Sequence, residues 1–248
     1  NLEEIIQVCD SVMIARGDMG VEIPFEEIPI IQKDIIKVAS MAGKQVVTAT
    51  QMLESMVSHP RPTRAEITDV ANAIFDGTSV TMLSGETANG KYPVEAVKTM
   101  VRIIERTEND IDYKKQFFID NMYQDAHNIT DAISHATCLI AYNLNAKAII
   151  TVTKSGTTAY MISRFRSDIP IIACTPDATV LRQMSLSWGV TGLMVGEERI
   201  MEVLFDSAIN TAKHEGLVEA GDLVVLTTGI PLSQSGSTNL VKVTHVPD

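Results

Sequence analysis

The chain has 248 residues, of which 45% are hydrophobic and 21% charged, a balance typical of a globular protein with one large domain or two medium ones. It carries 20 Lys and Arg residues against 31 Asp and Glu residues, a formal net charge of -11. Such an acidic balance disfavours binding to nucleic acid or to anionic membranes, because both need a basic surface. We therefore expect neither kind of partner.

The cysteines and the first residues of the chain indicate where the protein is found in the cell and whether the sequence is a fragment. The three cysteines, Cys9, Cys138 and Cys174, have no paired or metal-type spacing, which favours reduced thiols and a cytoplasmic protein. No apolar run approaches the roughly 18 residues that span a bilayer. The first residue is Asn1 rather than Met, and no signal peptide follows it. We expect the sequence to begin within a longer protein.

Three segments run from apolar, strand-like residues into a polar tip that contains Gly or Thr: residues 11–20, 46–51 and 80–87. They recur at the spacing of one strand and one helix, which predicts consecutive βα units. Parallel strands end at one edge, where α/β proteins place their active sites. The polar side chains expected at this edge are Asp18, Thr50, Ser84 and Glu86.

Helical patterns separate these tips. Apolar periodicity predicts a helix over residues 26–44, and a capping box at Thr63 and Glu66 predicts the start of the next helix. A third helix is expected to begin at Pro93. Residues 112–128 show no clean periodicity and are interpreted as a linker between two domains.

Alternation of strands and helices resumes after the linker. Strands are predicted over residues 148–152, 169–174, 190–195, 223–226 and 240–246, with a long helix over 199–216. The cationic residues and the Gly at the end of that helix are typical of a helix C-terminus. This half is predicted to be a compact α/β domain of about five strands.

Each polar tip allows a functional and a structural interpretation. Gly17 and Asp18 suit an anion beside a hard cation such as Mg²⁺, or form a solvated turn. Thr50 either contacts a substrate or caps a helix that begins at Gln51. Ser84 and Glu86 either relay a proton or cap the next helix. Their shared placement on one rim favours the functional interpretation.

The loop over residues 153–158 joins a predicted strand to a helix that begins near Thr158. Its hydroxyls, Lys and Gly are suited to binding a phosphate group, although it is not a nucleotide-hydrolysing Walker loop. A second loop rich in Ser and Gly, residues 227–239, either closes over the same ligand or is a flexible connection.

Longer motifs carry a family resemblance. The segments MIARGDMGVEIPFEEIP, TATQMLESM with HPRPTRAEITDVANAI, and MLSGETANGKYPVEAV resemble the last three βα units of the pyruvate kinase barrel. The TKSGTTA and LTTGIP segments resemble the regulatory domain of that family. The resemblance implies an α/β fold: a partial TIM (β/α)8 barrel over residues 1–117, then a smaller effector domain over residues 118–248.

The resemblance also implies roles for individual residues. Asp18 would bind Mg²⁺ or Mn²⁺, and the amides of Gly17 and Asp18 would receive the carboxylate of phosphoenolpyruvate or pyruvate. Thr50 would contact the same carboxylate and also act in catalysis, because the proton donor to enolpyruvate would be a hydroxyl or water chain near Thr50 and Ser84. Ser84 and Glu86 would belong to the relay that protonates enolpyruvate. An allosteric effector's phosphate would be held by Thr153, Lys154, Ser155, Gly156, Thr157 and Thr158.

The activity implied is the last step of glycolysis, in which phosphoenolpyruvate and ADP give pyruvate and ATP in a cytoplasmic homotetramer. The resemblance places the catalytic Lys, a metal-binding Glu and the K⁺ ligands upstream of this sequence, so we expect the chain alone to be inactive. The effector domain lacks the Trp and Arg that some bisphosphate-activated members use, which disfavours a bisphosphate effector.

Two alternatives stay open. The chain could be a catalytically silent module that binds a sugar phosphate. It could instead be another enolate-handling barrel enzyme, such as an aldolase acting on pyruvate, although that leaves the second domain unexplained.

Overall fold

The computed structural model describes residues 1–120, 128–232 and 237–248. It divides the chain into two compact units, Asn1–Ile111 and Asp112–Asp248. Within the described ranges, no helix is both long and apolar enough to cross a bilayer.

The division falls earlier than the predicted boundary between residues 117 and 118, and the predicted linker is partly helical. Helix α7 (Tyr113–Asp120) belongs to the second unit because Phe117 is buried there. The Phe117 ring lies 5.2 Å from the Tyr142 ring and 6.0 Å from the Phe165 ring. Aromatic side chains of this segment therefore attach it to the second unit, since Tyr113 and Phe118 also contact rings there. The rest of the predicted linker, residues 121–127, lies outside the described ranges.

The first unit contains a parallel three-stranded sheet in the order β1-β2-β3. Its strands are β1 (Ser11–Ala15), β2 (Gln45–Ala49) and β3 (Val80–Thr81). Its helices are α1 (Leu2–Val8), α2 (Arg16–Glu22), α3 (Ile28–Met41), α4 (Arg64–Phe75), α5 (Gly85–Ala88) and α6 (Pro93–Glu108). Two 3₁₀ turns cover Phe25–Glu27 and Glu54–Val57. The predicted βα repetition is confirmed, and the three strands end at one edge.

Local sequence explains where the main helices begin. The Thr63 hydroxyl accepts a hydrogen bond from the Glu66 amide, and the Glu66 carboxylate accepts one from the Thr63 amide. This confirms the predicted capping box at the start of α4. Pro93 opens α6 as predicted, since its missing amide hydrogen costs nothing in a first turn.

The second unit contains a five-stranded sheet in the order β6-β5-β4-β7-β8. Its strands are β4 (Ala148–Val152), β5 (Ile171–Thr175), β6 (Val190–Met194), β7 (Leu223–Thr228) and β8 (Leu240–His245). The other helices of this unit are α8 (Ile129–Leu144), α9 (Thr157–Ser163), α10 (Ala178–Met184) and α11 (Met201–His214). All neighbouring strands are parallel except β7 and β8. The predicted strand number is confirmed.

Helices cover both faces of this sheet. Ile150 on β4 packs in one core with Phe205 of α11, whereas its neighbour Ile149 packs in a second core with Cys138 of α8. Successive side chains of a strand point to opposite faces, so each face has its own core. Every residue of β4 is accordingly buried, as expected for a central parallel strand.

Candidate functional site

The first two strand tips of the first unit are joined by a hydrogen bond. Helix α2 begins at Arg16, directly after β1, so the RGDMG segment is helical rather than a loop. The Gly17 amide donates to Thr50 Oγ1 across 2.9 Å. Thr50 and Gln51 have φ angles of 67° and 54°, in the left-handed region. No helix begins at Gln51, so the alternative in which Thr50 is a helix cap is wrong.

Arg16 holds this left-handed tip in place. Its Nη2 donates to the Thr50 carbonyl oxygen across 2.7 Å, and its Nε donates to the Ala49 carbonyl oxygen across 3.3 Å. Its Nη1 pairs with Asp69 Oδ1 of α4 across 2.6 Å. Only 10% of the Arg16 side chain is exposed. A planar guanidinium can satisfy these acceptors together, and backbone in the left-handed region needs such support.

Glu86 joins the second and third tips. Its Oε1 accepts a hydrogen bond of 3.0 Å from the Leu53 amide, and its Oε2 accepts one of 2.8 Å from the Ser84 amide. The Glu86 side chain is buried. Because both carboxylate oxygens accept backbone hydrogen bonds, this geometry suits a group that positions the tips. The catalytic role predicted for Glu86 stays a prediction. Ser84 precedes α5, and its hydroxyl makes no capping hydrogen bond.

Asp18 lies in the first turn of α2, and its side chain is exposed. Within the described ranges its carboxylate makes no hydrogen bond or ion pair, and no three potential metal ligands cluster. A hard cation such as Mg²⁺ typically takes one or two protein carboxylates and draws its other ligands from water and substrate phosphates. The free Asp18 carboxylate fits that pattern as a single donor.

The predicted phosphate loop of the second unit contains a glycine in a conformation that would strain any other residue. Gly156 has a φ of 80°, and a Cβ there would lie 2.6 Å from the Tyr160 ring. Its amide donates to Thr153 Oγ1 across 3.0 Å. The hydroxyls of Ser155 and Thr157 lie 2.9 Å apart. Hydroxyl groups and a left-handed turn therefore fix the shape of the loop.

A cavity that is open to solvent lies beside this loop. Thr153 and Lys154 after β4 contribute to its lining, as do Thr228 and Gly229 at the end of β7. Strands β5 and β6 lie on one side of β4 and β7 on the other, so the loops after β4 and β7 diverge. Ligands bind in open α/β sheets at such points.

The second loop, residues 227–239, contributes to the same cavity. Thr158 and Thr238 have hydroxyl oxygens 2.8 Å apart, and Ser237 lines the cavity with a buried hydroxyl that has no partner within the described ranges. Residues 233–236 of this loop lie outside those ranges.

Several contributors gave no signal in the sequence. Asp69 belongs to a helix far from the RGDMG segment, and nothing in its neighbours marks it as the partner of Arg16. Glu197 follows β6 and pairs with Lys154 of the phosphate loop across 2.5 Å. Only the strand order brings Glu197 to the cavity beside Lys154.

These two units define an α/β protein of the enzyme type, in which polar groups gather where parallel strands end. Comparison with known proteins shows which family has these two units. Residues 1–97 match the family described as "Pyruvate kinase, barrel domain", and residues 131–244 match "Pyruvate kinase, alpha/beta domain".

Individual relatives agree with these two matches. The chain is 49% identical over 243 residues to a pyruvate kinase of Clostridium acetobutylicum, covering 98% of this chain and 51% of the relative. It is 49% identical over 248 residues to one from Geobacillus stearothermophilus, covering all of this chain and 42% of that protein. A crystal structure of a pyruvate kinase from Cryptosporidium parvum superposes with a TM-score of 0.90 at 42% identity, covering all of this chain and 49% of the other.

The chain belongs to the pyruvate kinase family. It spans about half the length, or less, of the relatives it matches. The predicted fold, a barrel-domain portion followed by an α/β domain, is confirmed.

Proposed function

We propose that the chain is the carboxyl-terminal part of an enzyme that transfers the phosphoryl group of phosphoenolpyruvate to ADP, giving pyruvate and ATP. The observation that carries the proposal is the hydrogen-bonded rim of the first unit, where Gly17 contacts Thr50 and Glu86 contacts Ser84. The rim presents the Thr50 hydroxyl hydrogen and the exposed Asp18 carboxylate, while the Gly17 amide already donates to Thr50. The names of the relatives support the same reaction.

The substrate carboxylate is proposed to bind at Gly17, Asp18 and Thr50. The Thr50 oxygen accepts from the Gly17 amide, which leaves the hydroxyl hydrogen available to a ligand. The amides at the start of α2 present a second set of donors to an anion. Arg16 keeps Thr50 in the required left-handed conformation from below the rim.

Asp18 is proposed as the protein ligand of Mg²⁺ or Mn²⁺. When bound, such a cation neutralises charge on the transferring phosphoryl group. Asp18 can supply only one carboxylate, so the proposal assigns the remaining metal ligands, the K⁺ ligands and the catalytic Lys to parts of the enzyme outside this sequence.

Ser84 and Glu86 are proposed for the step that protonates the enolate of pyruvate. The Ser84 hydroxyl carries the proton in this proposal, because it makes no capping hydrogen bond. Glu86 acts by holding the Ser84 amide, since both of its carboxylate oxygens are engaged. Thr50 stands on the neighbouring tip of the same rim.

The second unit is proposed to bind a phosphorylated allosteric effector in the cavity beside residues 153–158. The Lys154 ammonium and the hydroxyl groups of the lining support this assignment, among them that of Ser237, which has no hydrogen-bond partner within the described ranges. We further propose that the whole enzyme is a cytoplasmic homotetramer, as the family resemblance implies.

The chain alone is proposed to be inactive, and a coupled assay of pyruvate formation with Mg²⁺ and K⁺ tests this directly. A sharper test replaces the matching segment of the Geobacillus stearothermophilus relative with this chain. We expect this chimera to turn over, and Asp18→Asn to lower its kcat by at least about 100-fold, because a missing metal ligand removes several kcal/mol of charge stabilisation.

The matched control is Asp34→Asn, which removes an exposed carboxylate from α3 in the same unit. This variant should keep the activity of the parent chimera. Near-normal turnover of Asp18→Asn at low Mg²⁺ would show that the metal assignment is wrong.

A second candidate function is favoured by the second unit. Its sheet, two cores and cavity are complete within residues 112–248, so it suits a catalytically silent module that binds a sugar phosphate. A folded but inactive chimera, together with phosphate binding by the chain, would favour this candidate.

A further inference from the structure

The effector cavity already contains an anion of its own. Glu197 Oε1 lies 2.5 Å from Lys154 Nζ, and both residues line the cavity. Lys154 follows β4 and Glu197 follows β6, with β5 between these strands. The ion pair therefore connects loops that follow strands that are not neighbours.

We propose that Glu197 is an internal competitor for the phosphate site: in the ligand-free protein its carboxylate occupies the Lys154 ammonium, and a phosphorylated ligand must displace it. The proposal rests on the effector cavity proposed above. It makes Glu197 a residue that sets both the affinity of the cavity and the kind of anion that the cavity accepts.

The charges of the lining support this competition. Lys154 is the single cation among the described residues that line the cavity, whereas Glu197 and Glu198 both contribute carboxylates. A bound phosphate needs the ammonium that Glu197 holds. The hydrogen bond from Lys154 and then its positive charge lower the pKa of Glu197, which keeps the competitor ionised at neutral pH.

The ion pair between Lys154 and Glu197 can separate at low cost. Glu197 is 66% exposed and Lys154 is 41% exposed, so water can solvate each of them after they separate. The segment between Met194 of β6 and Met201 of α11 has no regular secondary structure. Gly196 precedes Glu197, and a Cβ there would meet only Glu198 Oε1, at 4.0 Å. A glycine at this position gives the backbone freedom to move the carboxylate. Val195 anchors the base of the segment, since its amide donates to the Thr175 carbonyl oxygen across 3.1 Å.

The same lining predicts which anions succeed. A monophosphate can take the Lys154 ammonium and the nearby hydroxyls while its uncharged part faces the rest of the cavity. A second phosphate on the ligand would share the cavity with two carboxylates, Glu197 and Glu198, and like charges repel at such range. The competitor therefore selects against bisphosphates.

The test is calorimetric titration of the whole 248-residue chain with inorganic phosphate at low ionic strength. Exposed ion pairs are modest, so Glu197→Gln should tighten phosphate binding by about two- to fivefold. Glu198→Gln is the matched control, because it removes the same charge from the same cavity but breaks no contact with Lys154. It should tighten phosphate binding by less than half as much as Glu197→Gln does. Thermal melting should be unchanged in both variants, because both side chains lie on the surface.

The outcomes separate this inference from the cavity assignment on which it rests. If Glu197→Gln and Glu198→Gln tighten phosphate binding equally, Glu197 acts only through its negative charge and not through its contact with Lys154. That result would overturn the proposed competition. Suppose that the parent binds phosphate, that Lys154→Ala abolishes this binding, and that Glu197→Gln does not tighten it. This result would overturn the proposed competition but would still support the effector cavity. Phosphate binding by Glu197→Gln where the parent shows none would support the proposed competition most strongly. Absence of binding in every variant would overturn both assignments.

Discussion

Arg16 shows how one side chain can set the geometry of a candidate active site without facing the substrate. Its guanidinium contacts two carbonyl oxygens of the β2 tip and one carboxylate of α4. These contacts hold Thr50 in a left-handed conformation, and the Thr50 oxygen in turn receives the Gly17 amide. Arg16 is therefore a positioning residue for the rim.

We predict that Arg16→Lys lowers the free energy of unfolding of the first unit by about 1 to 3 kcal/mol, because a single ammonium cannot reach all the acceptors of the planar fork. Exchange of the Gly17 amide hydrogen should accelerate at the same time, since its acceptor moves. Urea unfolding followed by circular dichroism and amide exchange by NMR measure the two effects.

The control for this prediction is Arg102→Lys. Arg102 is exposed on α6, and its Nη2 donates to Thr99 within the same helix. It should change neither stability nor Gly17 exchange by a measurable amount. A Gly17 amide that exchanges equally slowly in Arg16→Lys would contradict the positioning role.

At the scale of elements, the start of α4 depends on one carboxylate. Glu66 accepts hydrogen bonds from the amide and hydroxyl of Ser55 and from the amide and hydroxyl of Thr63. Partial burial raises the pKa of Glu66, but the hydrogen bonds from Ser55 and then Thr63 outweigh it and lower the pKa below 4.5. The folded protein therefore binds a proton at Glu66 less readily than the unfolded chain does.

This linkage fixes the sign of a pH effect. The stabilisation from Glu66 is fully present above pH 4.5 and is lost as the pH falls through the lowered pKa. We predict that Glu66→Gln costs about 1 kcal/mol at neutral pH, the size of a lost cap, and flattens the pH dependence of stability below 4.5. Urea unfolding between pH 3 and pH 7, about the range of this titration, measures both.

Glu95→Gln is the matched control for the capping prediction. Glu95 occupies the first turn of α6, but Tyr92, the residue before this helix, makes no capping hydrogen bond with its side chain. The substitution should lose only a weak interaction with the helix dipole, a few tenths of a kcal/mol. Equal losses at the two positions would mean that the capping box adds nothing specific.

At the scale of the whole molecule, the two sheets differ in burial. Every residue of β4 and β5 is buried, whereas β1 has one fully buried residue and leaves Met13 55% exposed. Strands β1 and β3 each pair with β2 alone in the part of the chain that the structure describes. Unpaired edges with exposed apolar side chains are prone to associate.

We predict that the second unit is the more stable one. A chain comprising residues 112–248 should remain monomeric and unfold in one sharp transition, because the cores on both faces of its sheet are built from its own residues. The full 248-residue chain should associate and show an additional, earlier transition. Size-exclusion chromatography and calorimetry measure this, and a monomeric full chain with a single transition would contradict the prediction.

Much of this architecture could be read from the sequence. Strand β4 was predicted at its observed bounds, as were the capping box at Thr63 and the Pro93 start of α6. These features depend on short-range patterns, namely apolar runs, orphan amides at helix starts and the fixed φ of proline. The helix α7 within the predicted linker was not recognised, because Phe117 joins a core made by residues far along the chain.

The sequence by itself determined the order of strands and helices, the polar tips at the strand ends and the family to which they point. Tertiary structure alone decided that Arg16 pairs with Asp69, that Glu86 joins Leu53 to Ser84, and that Glu197 occupies Lys154. Apart from the local contact between Glu86 and Ser84, each of these contacts joins residues brought together by the packing of different βα units. A periodic pattern records which face of its own element is buried, but the partner across a sheet depends on strand order and register, which no single segment encodes.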